Sequence, residues 1–170
     1  MIKQQLTTFY KCPAGYIHIK ISDGHITALL FTDEEHFSSD ETGHLSASEK
    51  KILKECTRQF DEYFSGKRKI FDLPLQQTGT GFQHKVWNEL MKIPYGKTIS
   101  YLELAQRLGD VKSIRAAASA NGKNKLSIVV PCHRVIGSDG SLIGYGGGLP
   151  RKKWLLDHEN KFAHGVTTLF

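Results

Sequence analysis

At 170 residues, with 39% hydrophobic and 24% charged content, the chain can bury one good core or two small ones, and it contains no run of 18 or more apolar residues to cross a membrane. Its first ten residues lack the apolar centre of a secretory signal, and its three cysteines, Cys12, Cys56 and Cys132, are far apart with no Cys-x-x-Cys pair. The expectation is a cytoplasmic protein without disulfides or a cysteine-rich zinc site. The net charge of +6 is uneven: residues 80–170 hold 13 Lys and Arg against 6 Asp and Glu, whereas residues 1–79 hold 10 against 11, so a polyanion, nucleic acid before membrane, is the expected partner of the second half.

In chain order, Thr7 to Tyr10, Tyr16 to Ser22 and Ile26 to Phe31 read as strands, the last two joined by the hairpin turn Asp23-Gly24. Thr32 to Gly43 is acidic and unpatterned and reads as a loop. Ser46-Ala47-Ser48-Glu49 has capping-box spacing and opens a helix whose Ile52, Cys56, Phe60 and Phe64 form an apolar stripe. Cys56 is then a small core residue, and Cys12, with no base beside it, has no chemical role. The pattern lapses between Leu73 and Gly81, which sets a domain boundary: an N-terminal domain over 1–78 and a C-terminal one over 79–170.

The second domain reads as mostly helical. Thr80-Gly81-Phe82-Gln83 caps one helix, Ser100-Tyr101-Leu102-Glu103 a second ending at Gly109, and Ser113 a third over Ile114 to Asn121, closed by Gly122. The last two have helix-turn-helix form. The third is nearly all methyl groups and small hydroxyls with one long cation, Arg115, too bland to read base edges but slim enough to approach a minor groove. An alanine-rich helix packed tightly on a neighbour has the same composition. Leu126 to Val130 then reads as a strand ended by Pro131, Val135 to Ile143 as a small hairpin or wing, and Pro150 as the start of a final helix.

The chemistry concentrates at Pro131-Cys132-His133-Arg134-Val135. A thiol attacks as its thiolate, so Cys132 needs a base, and His133 is nearest. Neighbouring side chains in extended backbone point to opposite sides, so either the chain turns after Pro131 or a water relays the proton. Glu159 is the available carboxylate to orient the imidazole. A Cys-His hydrolase of peptides or esters would use the same pair.

These residues resemble the signature of the O6-alkylguanine-DNA alkyltransferases. Pro94-Tyr95-Gly96-Lys97-Thr98-Ile99-Ser100-Tyr101, the Arg115-Ala116 helix, Asn124 eight residues before the cysteine, Tyr145-Gly146-Gly147-Gly148-Leu149 and Trp154-Leu155-Leu156-Asp157-His158-Glu159 extend the resemblance in the same order. It implies a mixed α/β fold, with an N-terminal ribonuclease-H-like domain and a mainly α, winged-helix-type C-terminal domain containing a helix-turn-helix. It also implies single-turnover transfer of a methyl or other alkyl group from O6-alkylguanine, and from O4-alkylthymine, to Cys132. His133 would act as base through a water, Glu159 would orient it, and Asn124 would hold the active-site turn. Tyr101 would stand near the 3′ phosphate and the flipped guanine, and Arg115 would fill the gap that the guanine leaves. Val135, Tyr145 and Gly146 would line the pocket, and Ala116, Ser119 and Arg134 are expected at the DNA. The partner implied is double-stranded DNA bound at its minor groove by a monomer; no cofactor, no metal and no membrane are expected. Lys125 and Ser127 stand where many relatives have proline, which suggests a looser pocket wall. A non-catalytic lesion-binding relative would lack the cysteine.

Overall fold

The computed structural model describes residues 6–33 and 45–165; the remainder of the expected loop over Thr32 to Gly43 lies outside them. The chain divides into two compact units, Met1–Gln77 and Thr78–Phe170. Among the described residues no helix is long and apolar enough to cross a membrane.

The first unit is a three-stranded antiparallel sheet in sequential order with one long helix. The strands are β1 (Leu6–Cys12), β2 (Gly15–Ser22) and β3 (His25–Thr32). Alternation sorts their faces: Ile17, Ile19 and Ile21 of β2 are fully buried while their neighbours are only partly so. The β2–β3 turn has Asp23 at φ 50° and Gly24 at φ 75°, two left-handed residues in succession that match the right-handed twist of a hairpin. Helix α1 (Ala47–Phe64) begins with the full Ser46–Glu49 capping box and buries Cys56, Gln59, Phe60 and Tyr63. Gln59 is a polar residue in that face with a reason to be there. Its amide donates to the Asp72 carbonyl at 2.7 Å and accepts the Asp72 amide at 2.8 Å, pinning the segment that leaves the helix.

The second unit contains α2 (Gly81–Leu90), β4 (Ile99–Ser100), α3 (Tyr101–Arg107), α4 (Ile114–Gly122), β5 (Val135–Ile136) and α5 (Leu149–His164). Thr80 and Gln83 form the reciprocal cap of α2. At α3 only the Ser100 half of the expected box is made, because the Glu103 carboxylate turns to Arg107 one turn along. Ser113 does not cap α4; its hydroxyl donates to the Asp110 carbonyl at 2.6 Å and closes a short 3-10 turn between the helices. The α4 helix is held from behind by Trp87, whose buried indole N–H donates to the Ala120 carbonyl at 2.9 Å. Its Ala117 and Ala120 face inward, while Arg115, Ala116, Ser119 and Gly122 lie exposed on the other side.

Two expectations fail here. Leu126 to Val130 is not a strand but a series of buried turns, closed by Val129 N–H to Ser127 O (2.8 Å) and Val130 N–H to Leu126 O (2.9 Å). The run is apolar because it is buried on every side, a condition that periodicity does not distinguish from a buried strand. The hairpin over Val135 to Ile143 also lacks its return strand. Its turn forms, with Gly137 N–H donating to Ser141 O at 2.8 Å, but Val135–Ile136 pairs in parallel with Ile99–Ser100 instead.

Candidate active site

Pro131, at φ −82° and ψ 62°, bends the chain, and Cys132–Arg134 follow as one 3-10 turn. The turn is held by Asn124. Its Nδ2 donates to the Val130 carbonyl at 2.8 Å and to Cys132 Sγ at 3.2 Å, while its Oδ1 accepts the Leu126 amide at 3.0 Å. The preceding turns over Leu126 to Val130 contain Ile128 at φ 71°, a left-handed conformation that costs a β-branched residue roughly 1–2 kcal/mol and persists where surrounding contacts impose it. Cys132 is 5% exposed. Burial, the largest influence, leaves its thiol above the ordinary value, and the Asn124 amide, the Lys152 ammonium and nearby backbone N–H groups, which favour the thiolate, offset that rise only in part.

His133 is fully buried and its Nε2 lies 2.7 Å from Glu159 Oε1. Burial drives the imidazole's pKa down against the opposing pull of Glu159, so the ring is neutral. A neutral ring with its Nε2–H given to a carboxylate carries its lone pair on Nδ1, and Nδ1 is buried with no partner among the described residues. No hydrogen bond joins the ring to Cys132 among those residues. Glu159 is itself buried, which alone would raise its pKa, but His133 and Arg134 hold it well below the usual carboxylate range.

Arg134 is the third member of this cluster, and its expected place at the DNA is a correction. Its Nε and Nη2 donate to the two Glu159 oxygens at 2.8 and 2.9 Å, its Nη1 donates to the Ile93 carbonyl at 2.7 Å, and it is 6% exposed. Three of its five N–H donors are committed inside the protein, and a guanidinium this buried and paired with a carboxylate does not present its charge to a phosphate. The Pro94-Tyr95-Gly96 motif serves the same carboxylate. The Gly96 N–H donates to Glu159 Oε2 at 3.3 Å, and Gly96 holds φ 72° in a spot where a Cβ would stand 2.5 Å from that of Ala163.

Beside the turn is a cavity of about 290 Å³, at the small end for ligand sites, lined by Tyr101, Ile143, Gly144 and Tyr145 on one side and by α4 residues including Arg115 and Asn121 on the other. Cys132 is outside this lining, but its carbonyl accepts Asn121 Nδ2 at 3.3 Å and a charge on its sulfur would be felt by the hydroxyls of Tyr101 and Tyr145. Tyr101 and Tyr145 thus meet at the cavity with Arg115. Val135 and Gly146 do not line it. Val135 is fully buried in its strand, and Gly146 is exposed.

Two residues of the site escape a reading of the sequence. Lys152 sits in α5 with its side chain fully buried, and its Nζ donates to the carbonyls of Val135 (2.6 Å), Ile143 (2.8 Å) and Gly144 (3.1 Å). It thereby ties one wall of the cavity to the strand that follows the Cys132 turn. Burial brings its pKa down to about 8, opposed by Cys132. The other is Asn121, at the end of α4. A lysine in an amphipathic helix reads as solvated, and an asparagine before glycine reads as a helix end.

A model described as the ribonuclease-like domain of 6-O-methylguanine DNA methyltransferase matches residues 6–77, and one for the DNA-binding domain of the same proteins matches residues 81–161. The chain belongs to the 6-O-methylguanine DNA methyltransferase family. It is similar to the constitutive methylated-DNA–protein-cysteine methyltransferase of Bacillus subtilis, with 42% identity over 154 residues, 89% of this chain and 93% of that one. The methylated-DNA–protein-cysteine methyltransferase of Methanosarcina barkeri is 50% identical over 110 residues, 65% of this chain and 70% of that protein. The crystal structure of Mycobacterium tuberculosis OGT in complex with DNA matches with a TM-score of 0.78 and 35% identity, covering 93% of each chain. In this member of the 6-O-methylguanine DNA methyltransferase family, Asn124, Cys132, His133, Lys152 and Glu159 all fall within the matched DNA-binding domain.

Proposed function

We propose that this protein repairs DNA by moving a methyl or other alkyl group from O6-alkylguanine, and from O4-alkylthymine, irreversibly onto Cys132. The observation that carries the reading is a juxtaposition on one turn: a buried thiol held by Asn124, and beside it in the chain a neutral imidazole oriented by Glu159 with a lone pair left on Nδ1. In the reaction a water between them passes the thiol proton to His133 Nδ1. Sulfur attacks the alkyl carbon in line, the S–C bond forms as the C–O6 bond breaks, and guanine leaves as its anion, recovering the proton. The thioether has no easy leaving group, so each chain acts once, with no cofactor.

A base within a duplex is out of reach of a side chain, and rotating it out costs a few kcal/mol. The exposed face of α4, with Ala116, Ser119 and Gly122 small and Arg115 long, fits a minor groove with Arg115 entering the stack that the base vacates. Tyr101 and Tyr145 then flank the extruded base in the cavity. We read the protein as a cytoplasmic monomer that binds double-stranded DNA through this helix.

Two measurements test this reading. With excess duplex carrying O6-methylguanine, repair should stop at one lesion per chain; continued turnover would contradict the mechanism. Arg115→Ala should slow repair in duplex at least tenfold more than transfer from the free modified base, and equal losses would remove Arg115 from base extrusion.

A further inference from the structure

The Asn121 side chain supports a more specific role, which rests on the reading above. Asn121 is 2% exposed, lines the cavity, and spends its Nδ2 on the Cys132 carbonyl at 3.3 Å. Its Oδ1 is buried with no hydrogen-bond partner among the described residues. The nearby hydroxyl proton of Tyr101 does not supply one, since it goes to the Ile143 carbonyl at 3.0 Å, and the Lys152 ammonium has its three protons on backbone carbonyls. A buried carbonyl oxygen without a donor costs about 1–3 kcal/mol, which a ligand can recover by supplying the donor.

O6-alkylguanine has one donor to offer. Alkylation at O6 removes the proton from N1, and N3, N7 and the ether oxygen are acceptors, so only the exocyclic N2 amine can donate. O4-alkylthymine has none: its N3 has lost its proton and its O2 is an acceptor. The geometry points to Asn121 as a specificity-determining residue whose Oδ1 accepts the N2 amine of the extruded guanine, so that the protein prefers O6-alkylguanine to alkylated bases without that amine. The preference is set by an otherwise unsatisfied polar group rather than by shape, and such groups discriminate more sharply than a missing methylene does.

The test compares transfer rates from single-stranded oligonucleotides carrying O6-methylguanine or O6-methylhypoxanthine, which differ only in the amine; the single strand removes differences in base pairing. Wild-type protein should favour the amine-bearing base about 10-fold or more. Asn121→Leu, similar in size and without an acceptor, should bring the ratio to within about twofold of unity, while Asn121→Asp, which keeps an acceptor, should retain most of it. A wild-type ratio near one, or a wild-type ratio preserved in Asn121→Leu, overturns the assignment. So does an equal loss on both bases in Asn121→Leu, which would make Asn121 a support for the Cys132 turn alone. Absence of any methyl on wild-type protein with either base would instead overturn the alkyl-transfer reading, and this assignment with it.

Discussion

Both units of this protein bury thiols, and Cys56 of the first differs from Cys132 of the second in what surrounds it. Cys56, fully buried among the apolar residues of α1, is pushed up to about 12 by burial, and the Glu55 carboxylate pushes the same way. Cys132 is almost as deeply buried, yet it has an amide donor at 3.2 Å, a lysine ammonium within electrostatic reach and a 3-10 turn of backbone N–H groups. Burial by itself makes a thiol inert. What separates a nucleophile from a packing residue is a set of polar groups built to favour the anion.

The comparison breaks most sharply if the cysteines are exchanged for alanine in turn. Cys132→Ala should abolish transfer while binding to alkylated duplex persists, and Cys56→Ala should leave transfer intact and lower stability by about 1–2 kcal/mol, as read by denaturant melts. Next in size is Glu159→Gln, which leaves the buried Arg134 guanidinium without its anion; a loss of about 3–5 kcal/mol is expected in the same melts. Asn124→Ala removes the donor to sulfur and two clamps on the turn, and single-turnover rates should fall roughly 10- to 100-fold. The smallest effect is on pH. His133 and Glu159 both have lowered folded-state pKa values, so the unfolded chain takes up protons first on acidification. Stability should therefore decline as pH falls below about 6.5 and more steeply below about 4.3. Hydrogen exchange should show peptides of the second unit losing protection before those of the first.

Much of this was legible in the sequence where local chemistry determines structure. The Asp23-Gly24 turn and the Ser46–Glu49 and Thr80–Gln83 boxes are written in a few adjacent residues, and the structure forms them. The expectation failed where the cause is tertiary. Leu126 to Val130 looks like a strand because a turn buried on all sides is as apolar as one, and the Asn124 bonds that fold it are visible only in three dimensions. Arg134 next to the nucleophile in a basic half suggests a phosphate contact, whereas its partner is a carboxylate 25 residues away. Lys152 and Asn121 were missed for the same reason: what each does depends on which carbonyls or cavity it meets.

The central claim, that the polar surroundings of Cys132 select it as the acceptor, is tested most directly by locating the methyl group. Protein incubated with one equivalent of O6-methylguanine duplex is digested, and the peptides carrying Cys12, Cys56 and Cys132 are weighed. One methyl on the Cys132 peptide, and none on the other two, is the predicted result; a methyl on Cys56 or Cys12, or an unmodified Cys132 peptide, would contradict it.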